Sequence, residues 1–204
     1  MVKTAEEICK ALRIDLKDIL NIYPYGSKIY GSNDEYSDDD FIIVYKKSML
    51  PSGSFKDNAI SSYDRQIQGT CYGRGGFLDA INNYQIPALE CIFLPEEKII
   101  KKTMNFKMGE INKHYLVKNI ISTASGSWHN AKMAYGDDND EYVKKNIFHA
   151  LRILDFGIQI KENGKIINYS SMNEMKKKIY GDVDCKPKNY YDIFIEMSEK
   201  LKTL

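Results

Sequence analysis

The sequence predicts an α+β protein in which a region of mixed strands and helices is followed by a helical region. Over residues 1–100, short apolar runs of strand length alternate with helical segments. After about residue 98, apolar residues recur instead with the period of amphipathic helices. We therefore expect a core domain at 1–100 and a mainly helical C-terminal domain at 101–204. A chain of 204 residues with 43% hydrophobic content is long enough to bury a core in one large or two small domains.

The N-terminal half contains the strands. Residues 4–13 predict a helix that packs on a sheet, and 20–25 predict a short extended segment in which Pro24 favours an edge or an end. The apolar run 41–45 lies within a predicted strand at 40–46. The remaining elements predicted here are a strand at 63–70, a helix at 75–84 and a strand at 88–94.

The C-terminal half has helical patterns. A helix is predicted at 114–123, and 126–133 either continues or restarts it. The longest predicted helix is 141–159, because its apolar residues form one stripe. The run 165–169, which follows Asn163-Gly164, suggests a strand-like segment in a small hairpin or turn.

Composition narrows the possible partners and location. The net charge is +1, so no general basic field draws the protein to nucleic acid or anionic lipid. The four cysteines have no C-x-x-C spacing, which indicates reduced thiols. No apolar stretch is long enough to cross a bilayer and the first residues lack a signal-peptide core, so we expect a cytoplasmic protein without a membrane partner.

The most informative segment joins a glycine-serine turn to a pair of carboxylates. Gly26 allows close approach of a ligand to the backbone, and Ser27 is a good first residue for a short helix whose N–H groups could bind phosphate. Asp38 and Asp40 precede or begin the apolar strand and share one face, whereas Asp39 points elsewhere. Two neighbouring carboxylates repel each other unless a cation lies between them, and Mg²⁺ is a suitable hard cation.

The alternative for this segment is a solvated acidic loop, which is the usual meaning of a run such as residues 34–40. Two features argue against it. The upstream Gly26-Ser27 turn has no role in such a loop. A charge at Asp40 beside the apolar run is also costly to desolvate, which argues that the charge has a function.

This segment resembles the signature of the DNA polymerase β-like nucleotidyltransferase superfamily, in its small, stand-alone bacterial and phage branch. The residues that carry the resemblance are Gly26-Ser27, Gly31, Ser37 and, after ten residues that follow Ser27, Asp38-x-Asp40. The resemblance is strongest over residues 20–45. It implies a mixed β-sheet flanked by helices, a nucleoside triphosphate with Mg²⁺, and transfer of a nucleotidyl group to an acceptor hydroxyl.

The same resemblance implies a third carboxylate on a later strand. Glu90 is the first candidate, because it is the single acid in the apolar segment 88–94; an exposed edge position is the alternative. Asp64 is the rival, in a more polar run where an acid beside Arg65 is more often a surface pair. In the implied mechanism Asp38, Asp40 and the third acid hold metal ions, and Glu90 or Asp64 accepts the hydroxyl proton.

The substrate-binding residues implied are of two kinds. Gly26 and Ser27 would hold the β and γ phosphates of the triphosphate. In the longest helix, Lys145, His149 and Arg152 are spaced to share one face and could meet the triphosphate together, although a solvated basic face is the plainer interpretation. The arrangement Lys-x-x-x-His-x-x-Arg also looks like the C-terminal helix of the same stand-alone enzymes.

Three functions follow. The leading one is a Mg²⁺-dependent nucleotidyltransferase that moves a nucleoside monophosphate, with ATP favoured as the donor, to a protein, RNA or small molecule and releases pyrophosphate. The second is an antitoxin-like partner that neutralises a toxin by nucleotidylation or by binding. The third is a catalytically inactive nucleotide-binding protein. The acceptor and the oligomeric state are left open.

Overall fold

A computed structural model describes residues 3–33, 37–47, 58–64, 66–135 and 139–204. Residues 34–36 of the acidic run and Arg65 therefore lie outside the described part. The chain divides into two compact units, Met1–Gly109 and Glu110–Leu204. We refer to them as the sheet unit and the helical unit.

The described residues of the sheet unit form one mixed sheet of five strands in the order β3-β4-β2-β1-β5. β2 and β4 are parallel, and the other neighbouring pairs are antiparallel. The predicted α+β class with a mixed sheet is thus confirmed. The strands are β1 Ile19–Tyr25, β2 Asp39–Tyr45, β3 Asn58–Ser61, β4 Ile67–Gly73 and β5 Lys101–Lys102.

The positions of β1 and β2 follow from their residues. β5 pairs with β1 only at Asn21 and Ile22, so Pro24 lies beyond the short edge strand, where a missing backbone N–H is tolerated. The residues of β2 from Phe41 to Tyr45 are all buried. A strand covered on both faces needs apolar residues at every position, which explains the unbroken apolar run.

Helices cover both faces of this sheet. The helices of the unit are α1 Ala5–Leu12, α2 Ser27–Tyr30, α3 Arg74–Asn82 and α4 Ile86–Phe93. On one face, Ile8 and Leu12 of α1 pack into a core cluster that includes Ile43. On the other face, Phe77 of α3 stacks on Tyr23, with ring centroids 5.8 Å apart.

The prediction of a strand at 88–94 is wrong, because this segment lies in helix α4. Pro87 falls in the first turn of the helix, where its missing N–H costs nothing. The residues after it are mostly good helix formers, and a short apolar run has the same pattern in a buried strand and a buried helix. Glu90 is therefore on a helix rather than on a strand.

The strand predicted at 63–70 begins later than expected. β4 starts at Ile67, because Asp64 forms the preceding turn: its Oδ1 accepts hydrogen bonds from the Ser62 hydroxyl and the Gln66 backbone N–H. The glycines at 73–76 end β4 and form the first turn of α3.

The helical unit is built around two long helices. Its helices are α5 Lys113–Ala134, α6 Asp140–Asn163, α7 Asn173–Gly181 and α8 Tyr191–Thr203. α5 runs through Gly126 without a break, so the two predicted segments are one helix. Gly157 of α6 lies close to Ile120 of α5, and Trp128 of α5 stacks on Phe194 of α8 at 4.6 Å.

The prediction of a strand-like run at 165–169 is also wrong. The segment is irregular, and its backbone N–H groups at Ile167 and Asn168 donate to the side-chain oxygen of Gln159 in α6. A side chain on the helix thus satisfies the donors that a strand partner would have taken. No helix in the described part of the chain is both long and apolar enough to cross a membrane.

Candidate functional site

Asp40 lies directly against the glycine of the Gly26-Ser27 turn. The two are brought together because Tyr25, at the end of β1, pairs with Asp40 in β2. Gly26 has φ +77° and ψ −158°, a conformation that is essentially restricted to glycine. A Cβ at Gly26 would lie 2.2 Å from Asp40 Oδ2, so only glycine leaves room for this carboxylate. The turn and the carboxylate therefore form one site.

Asp38 is held on the same face by a residue of the neighbouring strand. Gln68 Nε2 donates a hydrogen bond of 2.6 Å to Asp38 Oδ2. In the parallel pair of β2 and β4, Gln68 is in register with Asp40, so their side chains project from the same face. The contact of Gln68 with Asp38 places all three groups together at this end of the sheet.

Asp39 points the other way and binds two lysines. Lys28 Nζ of α2 donates to Asp39 Oδ1 at 2.6 Å, and Lys3 Nζ donates to Oδ2. Burial acts to raise the pKa of Asp39, but the hydrogen bonds and charges of Lys28 and Lys3 outweigh it and lower the pKa. Asp39 is thus a structural ion-pair partner that ties α2 and the residues before α1 to β2.

Glu90 is buried and hydrogen-bonded to the helix that follows the turn. It is 2% exposed, and the Tyr30 hydroxyl of α2 donates to Glu90 Oε2 at 2.6 Å. Asp64, the rival, is bound within its own turn, and the hydrogen bond from Ser62, followed by that from the Gln66 N–H, lowers its pKa. Among the described residues, no group of three or more His, Cys, Asp or Glu is arranged to hold a metal ion.

Asp38 and Asp40 suit Mg²⁺ as a two-carboxylate site. They supply hard oxygen donors on one face, next to a backbone that has no side chain in the way. Mg²⁺ is commonly held by one or two carboxylates, with substrate phosphates and water completing its shell. The residues present therefore fit this ion when a triphosphate accompanies it.

The three candidate residues of α6 differ in their surroundings. Lys145 is exposed, whereas Arg152 is 5% exposed and lies over the rings of Phe148 and Phe156, at 5.5 and 5.9 Å. Burial, followed by the charges of Arg152, Lys145 and Lys176, lowers the pKa of His149 to about 3. His149 is thus neutral at physiological pH and offers hydrogen bonds rather than charge.

Sequence reasoning missed three residues that shape this end of the sheet unit. Gln68 contacts Asp38, Lys28 contacts Asp39, and Tyr30 contacts Glu90. Lys28 and Tyr30 lie in the short helix that begins at Ser27, so the sequence alone places them near the turn. No sequence signal places Gln68 near the site, since only the strand register brings it beside Asp40.

Comparisons with known proteins agree with this architecture. No family model and no curated protein matches the chain. Among solved structures, the chain is similar to the spectinomycin adenyltransferase from Enterococcus faecialis, solved with ATP and spectinomycin: identity is 14%, coverage is 97% of this chain and 96% of that one, and the TM-score is 0.51. A nucleotidyltransferase-like protein from Exiguobacterium sibiricum also matches at 9% identity, with coverage of 91% and 69% and a TM-score of 0.32.

The fold agrees with the first of these matches, which spans nearly the whole of both chains. A mixed sheet flanked by helices, with a helical region after it, is the fold of small nucleotidyltransferases. This chain is a small protein of the nucleotidyltransferase fold.

Proposed function

We propose that this protein is a Mg²⁺-dependent nucleotidyltransferase that transfers a nucleoside monophosphate from a nucleoside triphosphate to an acceptor hydroxyl. The observation that carries the proposal is that the Asp40 carboxylate occupies the space that a Cβ at Gly26 would fill, with Asp38 on the same face. Two carboxylates beside an open backbone turn are suited to a polyphosphate accompanied by a divalent ion.

The reaction is a displacement at the α-phosphorus. The acceptor oxygen forms a bond to this phosphorus, the bond to the bridging oxygen breaks, and pyrophosphate leaves. Magnesium, when bound, offsets the negative charge of the phosphates. Asp38 and Asp40 are the residues that would hold it. In this proposal Gly26 and the Ser27 hydroxyl hold the β and γ phosphates, so the protein contributes mainly placement and charge balance.

The acceptor hydroxyl also has to lose its proton. Glu90 is our candidate for the group that takes it, directly or through water, and Asp64 is less suitable because its Oδ1 already accepts two hydrogen bonds in the turn. The contact of Glu90 with Tyr30 supports a second role, in which the carboxylate holds α2 in place. The two roles predict different kinetics.

Glu90→Gln and Tyr30→Phe separate these roles. If Glu90 is the base, Glu90→Gln lowers kcat and removes the acidic limb of the pH profile, whereas Tyr30→Phe keeps that limb. If Glu90 only holds α2, both variants lower the melting temperature to a similar degree and leave the shape of the pH profile unchanged. Thermal melting and the pH dependence of kcat measure the two outcomes.

In the helical unit, Lys145 and Arg152 are proposed to contact the triphosphate, with neutral His149 as a hydrogen-bonding neighbour. The exposed Lys145 has the greater freedom to meet a ligand, because Arg152 is buried beside two aromatic rings. Lys145→Ala is therefore expected to raise the KM for the triphosphate with little change in protein stability.

The decisive test compares substitutions of Asp38 and Asp40 with a substitution of Asp39, which lies between them in the sequence. Asp38→Asn and Asp40→Asn are expected to lower pyrophosphate release from a labelled triphosphate by about a thousandfold, the range found for charge-stabilising groups. Asp39→Asn is the matched control, since it removes the same charge from the same strand on the opposite face, and it is expected to change the rate by no more than a few-fold. Equal rates in all three variants would falsify the proposal.

The acceptor and the preferred nucleobase of the triphosphate are identified in the same assay. We favour ATP because it is abundant, and the similar adenyltransferase was solved with ATP. Protein, RNA and small-molecule acceptors are tested by incubation with Mg²⁺ and each labelled triphosphate in lysate, and aminocyclitols are included because that neighbour was solved with spectinomycin. The labelled product names the acceptor class.

A second candidate is a protein that binds a nucleotide without turnover. It is favoured by one observation, the lack of any three-acid group in the described part of the chain. Triphosphate binding that depends on Asp38 and Asp40, without pyrophosphate release across the acceptor screen, would establish it in place of the transferase.

A further inference from the structure

Gln68 lies on β4, the neighbour of β2, and is next to the carboxylates of Asp38 and Asp40. Its backbone is in register with Asp40, and its side-chain amide donates to Asp38 at 2.6 Å. It therefore touches one carboxylate and lies beside the other, on the same face of the sheet. The side chain is exposed, so its contact with Asp38 is made where a ligand can reach it.

No acid takes this place in the described part of the chain. Glu90 Oε2 is bound to Tyr30, and Asp64 Oδ1 is bound in its own turn. In that part of the chain, no three His, Cys, Asp or Glu residues are grouped so that they could hold a metal ion. The group that the strand register and the described hydrogen bond place next to Asp38 and Asp40 is a neutral amide.

We propose that Gln68 is the third member of this site and that it makes metal binding depend on the nucleotide. The inference rests on the proposed function. The amide N–H orients the Asp38 carboxylate, and the amide oxygen is a neutral donor of the kind that hard cations accept. The chain then brings only the two negative charges of Asp38 and Asp40. Because affinity for such ions rises with the number of charged ligands, the free protein holds a divalent ion weakly, and the triphosphate supplies the missing charge.

The plainer interpretation is that Gln68 is an exposed strand residue whose hydrogen bond to Asp38 is incidental. Under that interpretation, the position of Gln68 still allows a carboxylate placed there to bind a metal ion, but loss of the native amide leaves metal binding unchanged. Removal of the amide therefore separates the two interpretations.

Binding of Mn²⁺ to the purified full-length protein tests the proposal without any measurement of activity. Free Mn²⁺ is measured by electron paramagnetic resonance, with and without the α,β-methylene analogue of ATP. For Gln68→Glu we expect Mn²⁺ affinity without nucleotide to rise by about tenfold, because a third carboxylate joins the site. Gln85→Glu, at the start of α4, is the matched control and is expected to leave this affinity unchanged.

A second variant tests the amide itself. Gln68→Met keeps the length of the side chain but removes the N–H that orients Asp38. We expect Mn²⁺ to bind several-fold more weakly in the presence of the ATP analogue. Equal Mn²⁺ affinities for Gln68→Glu and Gln85→Glu, or an unchanged affinity in Gln68→Met, overturn the proposal.

Failure of the proposed function gives a different result. If Asp38→Asn and Asp40→Asn leave Mn²⁺ binding with the analogue unaltered, these carboxylates are not the metal site, and both the function and the role of Gln68 are wrong. If the two aspartate variants lose binding while the Gln68 variants behave as the wild type, only the inference about Gln68 is wrong.

Discussion

The two units of this protein hold their candidate functional residues in contrasting ways. In the sheet unit, Asp38 and Asp39 lie at a strand end, and the side chains of Gln68 and Lys28 hold them at a partly exposed surface. In the helical unit, Arg152 is buried against aromatic rings, and the pKa of His149 is strongly lowered. Asp38 and Asp39 are thus kept at the surface of the sheet unit, whereas Arg152 lies in the interior of the helical unit.

The difference shows what sequence spacing establishes in each kind of element. In a strand, side chains alternate strictly, so the parity of Asp38, Asp39 and Asp40 predicts which of them share a face. In a helix, the i, i+4 and i+7 spacing of Lys145, His149 and Arg152 places them along one stripe. It does not state how deep each lies, and for His149 burial is the main reason that the side chain is neutral.

Among the substitutions that test this comparison of the two units, the largest expected effect comes from replacing the glycine of the turn. In Gly26→Ala, the new Cβ would lie 2.2 Å from Asp40 Oδ2 in a backbone conformation that alanine rarely adopts. Asp40 has to move, so we expect nucleotidyl transfer to fall by about a hundredfold, the cost of roughly 1 Å of misplacement. Steady-state kinetics measure the loss of activity, and a melting curve measures any loss of stability.

Gly164→Ala provides the matched control in the helical unit. Gly164 also has a positive φ, +74°, but nothing lies within 4 Å of where its Cβ would be. It is expected to lose about 1 kcal/mol of stability from the left-handed backbone and no activity. If the two variants lose activity equally, backbone strain alone explains the result and the close contact with Asp40 has no role.

Much of the sheet-unit site was predictable from local pattern. A turn signal predicts Gly26 as a site residue, and the alternation of side chains in the following strand predicts Asp38 and Asp40. Both signals are short-range properties of the sequence. Glu90 shows the limit, since its apolar surroundings predict a strand whereas Pro87 lies in the first turn of a helix. Gln68 was out of reach altogether, because its place beside Asp40 depends on pairing between distant segments.

Acid is expected to destabilise the helical unit before the sheet unit. His149 has its pKa lowered from 6.5 to about 3 in the folded protein, so below pH 6.5 the unfolded chain binds a proton that the native state does not. Stability then falls as the pH drops from 6.5 towards 3, by up to a few kcal/mol at about 1.4 kcal/mol per pKa unit, reduced by solvent screening. Asp39, whose pKa is lowered from 3.8, loses its stabilising contribution only below that value.

The single tryptophan makes this measurable. Trp128 is buried in the helical unit, so its fluorescence reports unfolding there. His149→Gln is expected to flatten the pH dependence of urea unfolding between pH 6.5 and 4, whereas His129→Gln, at an exposed position of α5, leaves it in place. An unchanged slope in His149→Gln would show that other groups cause the acid sensitivity.

A smaller loss of stability is expected where the two long helices meet. In Gly157→Ala, the added Cβ would lie 2.5 Å from Ile120 Cγ2, and a β-branched side chain in a helix has little freedom to turn away. Overpacking of this kind costs about 1–3 kcal/mol. Gly126→Ala is the control, since it meets open space in α5 and should stabilise the protein by about 1 kcal/mol.

A double variant sharpens this comparison. Ile120→Ala removes the atom that the new methyl group would strike, so Gly157→Ala should cost much less in that background. The cycle is measured by denaturant unfolding. Additive costs of Gly157→Ala and Ile120→Ala would mean that the two residues do not meet in solution.

The smallest effect concerns the ion pairs at the strand end. Asp39 is 18% exposed and binds Lys28 at 2.6 Å, whereas Glu174 of α7 is 85% exposed and binds Lys177 at 2.7 Å. The distances are nearly equal, but screening by water is much stronger for the second pair. We expect Asp39→Asn to cost about 1 kcal/mol at low salt and Glu174→Gln to cost nothing measurable.

Salt and pH identify the cause of the Asp39 effect. The cost of Asp39→Asn should shrink in 1 M NaCl (a Debye length of about 3 Å) because the charges of Lys3 and Lys28 are then screened. It should also vanish as the pH falls below the lowered pKa of Asp39, where the wild-type carboxyl is protonated. A cost that persists under both conditions comes from packing at the start of β2 rather than from charge. In that case the two units stabilise their polar residues by the same means, which is packing.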